Sequence, residues 1–380
     1  MLQSFVYRLY PSKTQAHSLE AMRITCQRFY NNCLAERKSA YEERQETISK
    51  FEQLRRVKEI KASNPWAKTV HSHVLQTVVA DLDKAFKAFF RRVKLGETPG
   101  YPRFKSRNRF KSFGFKEYGN GFNLAGRRLK LFGVGRVAVR WHRPLEGVIK
   151  TVRIVKKAGD WYACFACVSE TKTLAVTGKE VGVDVGINSL LTTSEGEHIE
   201  NPRWYRTEQR QLRVLQRRVS RRKLKGSNRR KAVLMLQRQH ERISNRRRDF
   251  INKLAYSLIQ RYDKIVLENL KITNMVKNRQ LAKSILDAGW GYLVQHLTSK
   301  AESAGRVVVL VNPAYTSKSC SNCGAIFENL TLKDRWVQCG CGLSKDRDEN
   351  AAVNILKRGG QLRWALNSSI EGFAQEAALL

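Results

Sequence analysis

A chain of 380 residues with 42% hydrophobic composition is long enough for two to four domains with real cores, which excludes a disordered tail. Lys and Arg number 71 against 33 Asp and Glu, a formal +38, so the surface calls for a polyanionic partner, nucleic acid before any other. No apolar run reaches membrane-spanning length, and Met1-Leu2-Gln3-Ser4-Phe5 lacks a basic-then-apolar leader pattern, so the expectation is a soluble, unsecreted protein whose eight cysteines serve as metal ligands or buried thiols.

The first predicted element is a short strand, Phe5 to Tyr10. Ser12-x-x-Gln15 reads as a capping box opening a helix with Leu19, Met22, Cys26, Phe29 and Cys33 on one face. Phe51, Leu54 and Val57 mark a second helix, and Leu75, Val78, Leu82, Phe86 and Phe89 a third, giving a small helical domain. Gly96, Pro99, Gly100 and Pro102 end it.

From Tyr101 to Phe115 aromatic and basic side chains alternate, and period-two runs follow around Leu129-Lys130-Leu131, Val137-Ala138-Val139 and Trp161 to Phe165. This predicts a small β-barrel or sheet. The alternation suits either a platform on which bases stack while Arg and Lys meet phosphates, or a half-buried strand with a solvated face. Strand alternation points Cys164 and Cys167 apart, so burial rather than metal binding is expected of them.

Past Val181 the pattern turns α/β. A strand carries Asp184, a second runs Leu190 to Thr193, and a turn follows at Glu195-Gly196. Between residues 203 and 248 there are 18 Lys/Arg and two acids, Glu208 and Glu241. Leu212, Leu215 and Val219 give a helical stripe and Gly226-Ser227-Asn228 a turn, which predicts a helical hairpin whose like charges need a polyanion to neutralise them. A third strand spans Lys264 to Glu268. A helix from about Asp287 to Glu302 then leads into Arg306 to Val311, short and apolar enough for a buried strand.

Three carboxylates stand out. Asp184 alternates against Val181, Val183 and Val185 and lies between Gly182 and Gly186, which leave room for a metal and a phosphate. Glu268 ends an apolar strand that has no reason to carry a carboxylate without a partner. Asp348 precedes a helix beginning near Asn350 and stopping at Gly359-Gly360. Asp348 also suits a helix N-cap, and Glu268 an ion pair with an arginine. Together, in so basic a chain, the three fit a two-metal nuclease. No histidine neighbours any of them in sequence, which gives a hydrolytic triad little support.

The cysteines near the C-terminus are more specific. Cys320-x-x-Cys323 and Cys339-x-Cys341, separated by 15 residues, suit tetrahedral S4 coordination of one structural Zn2+ in a zinc ribbon, with a tighter second knuckle. Thiolates suit zinc and carboxylates suit magnesium, so the two neighbouring clusters are expected to hold different ions.

Taken together these segments resemble the TnpB family, the RNA-guided DNA nucleases of insertion sequences related to type V CRISPR effectors. The likeness rests on Gly182-Val183-Asp184-Val185-Gly186, Val266-Leu267-Glu268-Asn269-Leu270, Thr316 to Gly324, and Asp346-Arg347-Asp348-Glu349-Asn350-Ala351-Ala352. Tyr10-Pro11-Ser12-Lys13, Tyr30-Asn31 and Pro102-Arg103-Phe104-Lys105 extend it over nearly the whole chain. The resemblance implies a multidomain α+β protein. Its parts are an RNase H-like (RuvC) α/β nuclease domain over 179–319 and 342–380, a zinc-ribbon target-nucleic-acid-binding insertion over 320–341, a wedge β-barrel from 1–10 and 101–178, and a helical recognition domain over 11–100. It maps the catalytic, Mg2+-binding acids (two Mg2+, or Mn2+) onto Asp184, Glu268 and Asp348. Asp346 is the alternative third acid, but the family motif puts the ligand two residues before the asparagine.

The resemblance further implies a transposon-end-derived guide RNA and double-stranded target DNA as partners, cleavage of both strands beside a short target-adjacent motif, a role in transposon maintenance, and a cytoplasmic, nucleoid-associated location. Arg103, Lys105, Arg217, Arg218, Arg221 and Arg222 are the expected nucleic-acid contacts. The competing readings are a nuclease-dead RNA-guided repressor, a strand-transfer transposase, and a zinc-ribbon binding protein without chemistry.

Overall fold

The computed structural model describes residues 1–171, 173–331 and 333–361, which form two compact units, one from Met1 to Glu170 and one from Thr171 onward. The 362–380 end of the expected nuclease domain lies outside the described residues.

In the first unit, β1 (Leu2–Tyr10) leads into α1 (Lys13–Arg44), and the capping box holds: Ser12 and Gln15 each satisfy the other's backbone N–H. The predicted face of α1 is buried. There burial pushes the Cys33 thiol up to about 12, so it is packing material rather than a nucleophile. Next come α2 (Lys50–Ser63), α3 (Pro65–Lys68) and α4 (Ser72–Lys94). On α2 Leu54 and Val57 face the core as predicted, joined by Gln53 and Ile60, whereas Phe51 is 69% exposed. Gln53 is admitted to the core because Arg37 Nε donates to its oxygen and its amide donates to the Cys33 carbonyl and to Glu36.

Seven more strands follow: β2 (Ser112–Phe115), β3 (Glu117–Tyr118), β4 (Gly121–Ala125), β5 (Arg128–Leu131), β6 (Gly135–Arg140), β7 (Val148–Lys157) and β8 (Asp160–Val168). They join β1 in one sheet, ordered β2-β7-β8-β1-β6-β5-β4-β3, antiparallel except between β3 and β4. Helices and sheet share one apolar core, from Leu19 and Leu82 to Phe113 and Phe165, so the helical segment does not pack apart. Residues 101–111 are irregular, and Phe110, Phe113 and Phe115 are buried, which commits their rings to the core and leaves Tyr101 and Phe104 exposed. On β8 Cys167 is buried, while Cys164 is half-buried on the opposite face.

The second unit is built on a five-stranded sheet of β9 (Glu180–Val185), β10 (Ser189–Thr193), β11 (His198–Glu200), β12 (Lys264–Glu268) and β13 (Val307–Val311), ordered β11-β10-β9-β12-β13. The β9-β12-β13 part is parallel and the rest antiparallel. α5 (Trp204–Ser220) and α6 (Ser227–Arg261) form the predicted hairpin, but its connection runs over 221–226: of the expected turn only Gly226 lies there, and Ser227 and Asn228 open α6. The short α7 (Ile272–Met275) and α8 (Ala282–Ala288) precede α9 (Trp290–Ala304). The single helix expected from Asp287 is thus broken at Gly289, where φ is +74°.

One face of this sheet packs Val181, Val183, Leu191, Ile265 and Leu267 against α6 and α9. The other face, with Val266 and Val311, receives Ile355 from the helix over 347–361, α10. The run expected as a buried strand is the sheet's edge, with Val307 and Leu310 exposed. α10 does not stop at Gly359-Gly360. A Cβ at Gly359 would come within 2.5 Å of Val266 Cγ2, so that glycine serves close helix-to-sheet packing rather than termination. Between β13 and α10 lies a small hairpin, β14 (Trp336–Gln338) and β15 (Ser344–Asp346).

Candidate active site and cysteine knuckle

Strand register brings two of the acids together. Leu267 is level with Val183 in the parallel β9-β12 pair, so Asp184 and Glu268 sit side by side near the strand ends. α10 supplies Asp348 from its first turn, laid against β9 because Gly182 lets it approach: a Cβ there would fall 2.0 Å from the Ala352 carbonyl oxygen. The glycine expected to leave room for a metal therefore makes room for a helix backbone.

The helix cap is Asp346, whose Oδ1 accepts from the Asp348 N–H at 2.8 Å and the Glu349 N–H at 3.1 Å. The capping role weighed for Asp348 falls two residues earlier, and the Asp348 carboxylate stays available. Among the described residues Glu268 has no arginine ion pair. It accepts a hydrogen bond from the Thr316 hydroxyl, and Thr316 is 3% exposed.

The electrostatics are those of anions confined together. Burial, then the charges of Glu268 and Asp348, push the Asp184 carboxyl well above the usual range. Burial also raises Glu268, against the Thr316 hydrogen bond and Arg358. Among the described residues none of the three carboxylates forms a salt bridge; Arg347 and Arg358 act only from a distance. Three carboxylates are hard oxygen donors, the chemistry that would suit Mg2+ or Mn2+.

A histidine absent from the local sequence is brought near by β pairing. Thr192 is level with Asp184 on one side and with His198 on the other. His198 Nδ1 lies 3.1 Å from Thr192 Oγ1, and its Nε2 lies 3.4 Å from Glu349 Oε1. The line has the residue types of a hydrolytic triad, but Thr192 is 1% exposed and offers no accessible nucleophile. Only the strand register, not the motif, signals this residue.

The four cysteines converge, with all ligand atoms within 4.8 Å of one another. Cys320 Sγ to Cys341 Sγ and Cys323 Sγ to Cys339 Sγ are both 3.6 Å, close to the tetrahedral edge of about 3.8 Å implied by Zn–S bonds of about 2.3 Å. The backbone N–H of Leu343, then the Asn322 amide, hold the Cys341 thiol down at about 6, ready as a thiolate. The C-x-C pair closes because Gly342, at φ +89°, turns the chain back immediately after it. The site fits a structural zinc.

Buried amides on α10 tie this knuckle to the sheet. Asn350 accepts from the Ser321 N–H and donates to the Ser319 carbonyl. Asn354, one turn on, donates to the Thr316 and Ser319 carbonyls. The sequence reading missed both. Two amides four apart in an otherwise apolar helix face were the available signal.

The basic candidates divide. Arg103 is exposed. Lys105 is half-buried, with its amine 4.0 Å above the Tyr30 ring and its backbone bonded both ways to Asn31. Arg217, Arg218, Arg221 and Arg222 crowd the tip of the α5-α6 hairpin. All four are exposed, and none pairs with a carboxylate among the described residues.

Fold and site define a multidomain α+β protein that sets clustered carboxylates on a mixed sheet beside a four-cysteine knuckle. Residues 164–279 match the OrfB/IS605 family model described as "Probable transposase", 290–355 match a Cas12f1-like TNB domain, and 1–46 match a helix-turn-helix domain, although that stretch folds as one strand and one long helix. A Streptomyces pristinaespiralis protein named "Putative RNA-guided DNA endonuclease" is 36% identical over 94% of this chain and 89% of its own length. The similarly named InsQ of Escherichia coli K12 is 30% identical over 94% and 92%. The chain belongs to the TnpB family. Among solved structures the mini-RNA-guided endonuclease CRISPR-Cas_phi3 shares the fold, with a TM-score of 0.50 at 10% identity over 94% of this chain and 92% of that one. Among the described residues no helix is long and apolar enough to cross a membrane.

Proposed function

We propose that this chain is an RNA-guided DNA endonuclease that carries a transposon-end-derived guide RNA, reads a short target-adjacent motif and cuts both strands of complementary DNA in a single RuvC site, serving transposon maintenance in the cytoplasm. The observation that carries this reading is the convergence of Asp184, Glu268 and Asp348 at strand ends and a helix start, with no salt bridge to any of them among the described residues. In the proposal these three hold two Mg2+ or Mn2+ ions. Bound there, such ions supply an activated water and stabilisation of the leaving oxygen.

The chain's own part is placement. β9 and β12 fix two acids on adjacent strands, and Asp346 caps α10 so that the third points from a rigid first turn. The zinc knuckle over 320–341 is the proposed target-binding insertion in a RuvC domain of 179–319 and 342–380. The segments 1–10 with 101–178, and 11–100, are the proposed wedge and recognition domains. Guide pairing delegates sequence reading to RNA, which leaves the protein to supply a basic channel. Arg103 in the first unit and, separately, the arginines of the α5-α6 tip in the second are proposed to contact nucleic acid, with Lys105 buttressing the loop beside Arg103.

The test is to express the chain with its native flanking DNA, sequence the co-purifying RNA, and assay Mg2+-dependent cleavage of a matching target library with randomised flanks. Guide-dependent cuts that vanish in Asp184→Ala support the proposal. Bound RNA without cleavage would favour a dead repressor, and strand-transfer products without RNA a transposase.

A further inference from the structure

Glu268 does not stand alone at its strand end: the hydroxyl of Thr316, a residue beyond the edge strand, donates to Glu268 Oε1, with the Pro313 carbonyl at 3.0 Å as the longer second acceptor. Thr316 is itself fixed from two directions. Its backbone carbonyl accepts from Asn354 Nδ2 at 2.9 Å, and the same amide nitrogen donates to the Ser319 carbonyl at 2.7 Å. One turn earlier on α10, Asn350, fully buried, clasps Ser319 O and Ser321 N, the residues on either side of Cys320. Lys357 donates to the Ser321 carbonyl from the next turn. A continuous path of buried and partly buried hydrogen bonds thus runs from the first zinc-type cysteine through α10 to the carboxylate on β12.

We propose that Thr316 is a positioning residue for Glu268, and that the cysteine knuckle, through Asn350 and Asn354, sets where Thr316 stands. The inference rests on the reading of Glu268 as a divalent-metal ligand. A carboxylate has several rotamers and two oxygens. A hydroxyl on Oε1 selects one rotamer and leaves Oε2 as the free donor, so orienting hydrogen bonds of this kind tune metal affinity by about 10- to 100-fold. The serine, threonine and asparagine partners are uncharged, so they orient the carboxylate without competing with the cation for its charge. The arrangement also accounts for the ribbon's place in the chain, between β13 and α10: its first knuckle is anchored where it can hold Glu268, and its last strand ends at Asp346, the cap of the helix that carries Asp348.

The experiment compares Thr316→Val, which keeps the shape and loses the hydroxyl, with Thr316→Ser, which keeps the hydroxyl, in the full-length RNA-bound protein. Zinc content is measured first, then Mn2+ affinity by electron paramagnetic resonance without target DNA, then single-turnover cleavage against Mg2+ concentration. The expected result is full zinc in both variants, Mn2+ binding weakened about tenfold in Thr316→Val with a matching rise in the Mg2+ half-saturation, and both restored to within about twofold in Thr316→Ser. If Thr316→Val loses zinc, Thr316→Ala and Thr316→Ser replace the pair, being alike in lacking the methyl and differing by the hydroxyl. Unchanged Mn2+ affinity, or equal loss with and without the hydroxyl, overturns the proposal. Asp184→Ala run in parallel separates the two readings. If that variant still cleaves, the site assignment fails. If it is inactive while Thr316→Val behaves as wild type, only the role of Thr316 fails.

Discussion

Replacing Gly182 by alanine tests the packing on which the site depends. The added Cβ would lie 2.0 Å from the Ala352 carbonyl oxygen and 2.8 Å from both the Leu356 nitrogen and its Cβ. Ordinary contact begins at 3.4 Å, so α10 would have to retreat from β9 by about 1.4 Å, and two of the three obstructing atoms are helix backbone that no rotamer change can move. Overpacking of this kind costs about 3 kcal/mol or more. For a unit of this size that corresponds to a fall in melting temperature of about 6–12 °C. The same retreat carries Asp348 away from Asp184, and a misplacement of about 1 Å lowers rates by about 100-fold. The assay is single-turnover cleavage with thermal melting of the RNA-bound protein. Gly360→Ala serves as control, since nothing lies within 4 Å of a Cβ there and alanine favours the helix. A Gly182→Ala protein that melts within a degree of wild type and cuts at its rate would refute the account of how α10 seats Asp348.

The two acids of Asp346-Arg347-Asp348 should separate by assay: Asp346→Ala loses about 1 kcal/mol of stability with cleavage slowed a few-fold, whereas Asp348→Ala melts near wild type and loses cleavage. Asp184 is held above its unfolded value of 3.8, so above that pH the native state binds the extra proton and metal-free stability falls as pH rises through the raised value. Asp184→Asn should therefore melt higher than wild type in EDTA at neutral pH and lose that advantage at pH 4; an equal gain at both would break the argument. Changing Arg217, Arg218, Arg221 and Arg222 to glutamine should flatten the log-log salt dependence of nucleic-acid binding by about 3, read by filter binding across a salt series, and an unchanged slope would remove them from the interface.

Patterns confined to one segment are legible in the amino-acid sequence alone. The capping box at Ser12, the apolar face of α1 and the strand ending at Glu268 depend on neighbours a few residues away, and each formed as read. What the sequence hid depends on partners far along the chain. Gly182 looked like space for a ligand because nothing local names Ala352 as its neighbour. Phe51 looked like core because hydrophobicity alone ranks it above Gln53, yet Gln53 finds three partners across the helix pair and Phe51 finds solvent. His198 carries no motif, and Thr316, although it opens the Thr316 to Gly324 motif, is not marked there as a partner of Glu268; strand pairing and a loop anchored by α10 bring the two to their places.

The contact between Gly182 and Ala352 joins residues 170 positions apart, and this bears on when the protein acquires its chemistry during synthesis. A nascent chain exposes Asp184 early and Glu268 later, and both wait on the ribosome without their third partner until the cysteine hairpin and the start of α10 have emerged. The basic hairpin that would grip RNA is complete by Arg261, well before that point. On the proposed function, a growing or truncated polypeptide would carry its nucleic-acid-binding hairpin before it holds a complete set of three carboxylates, so the order of translation would place binding ahead of cutting.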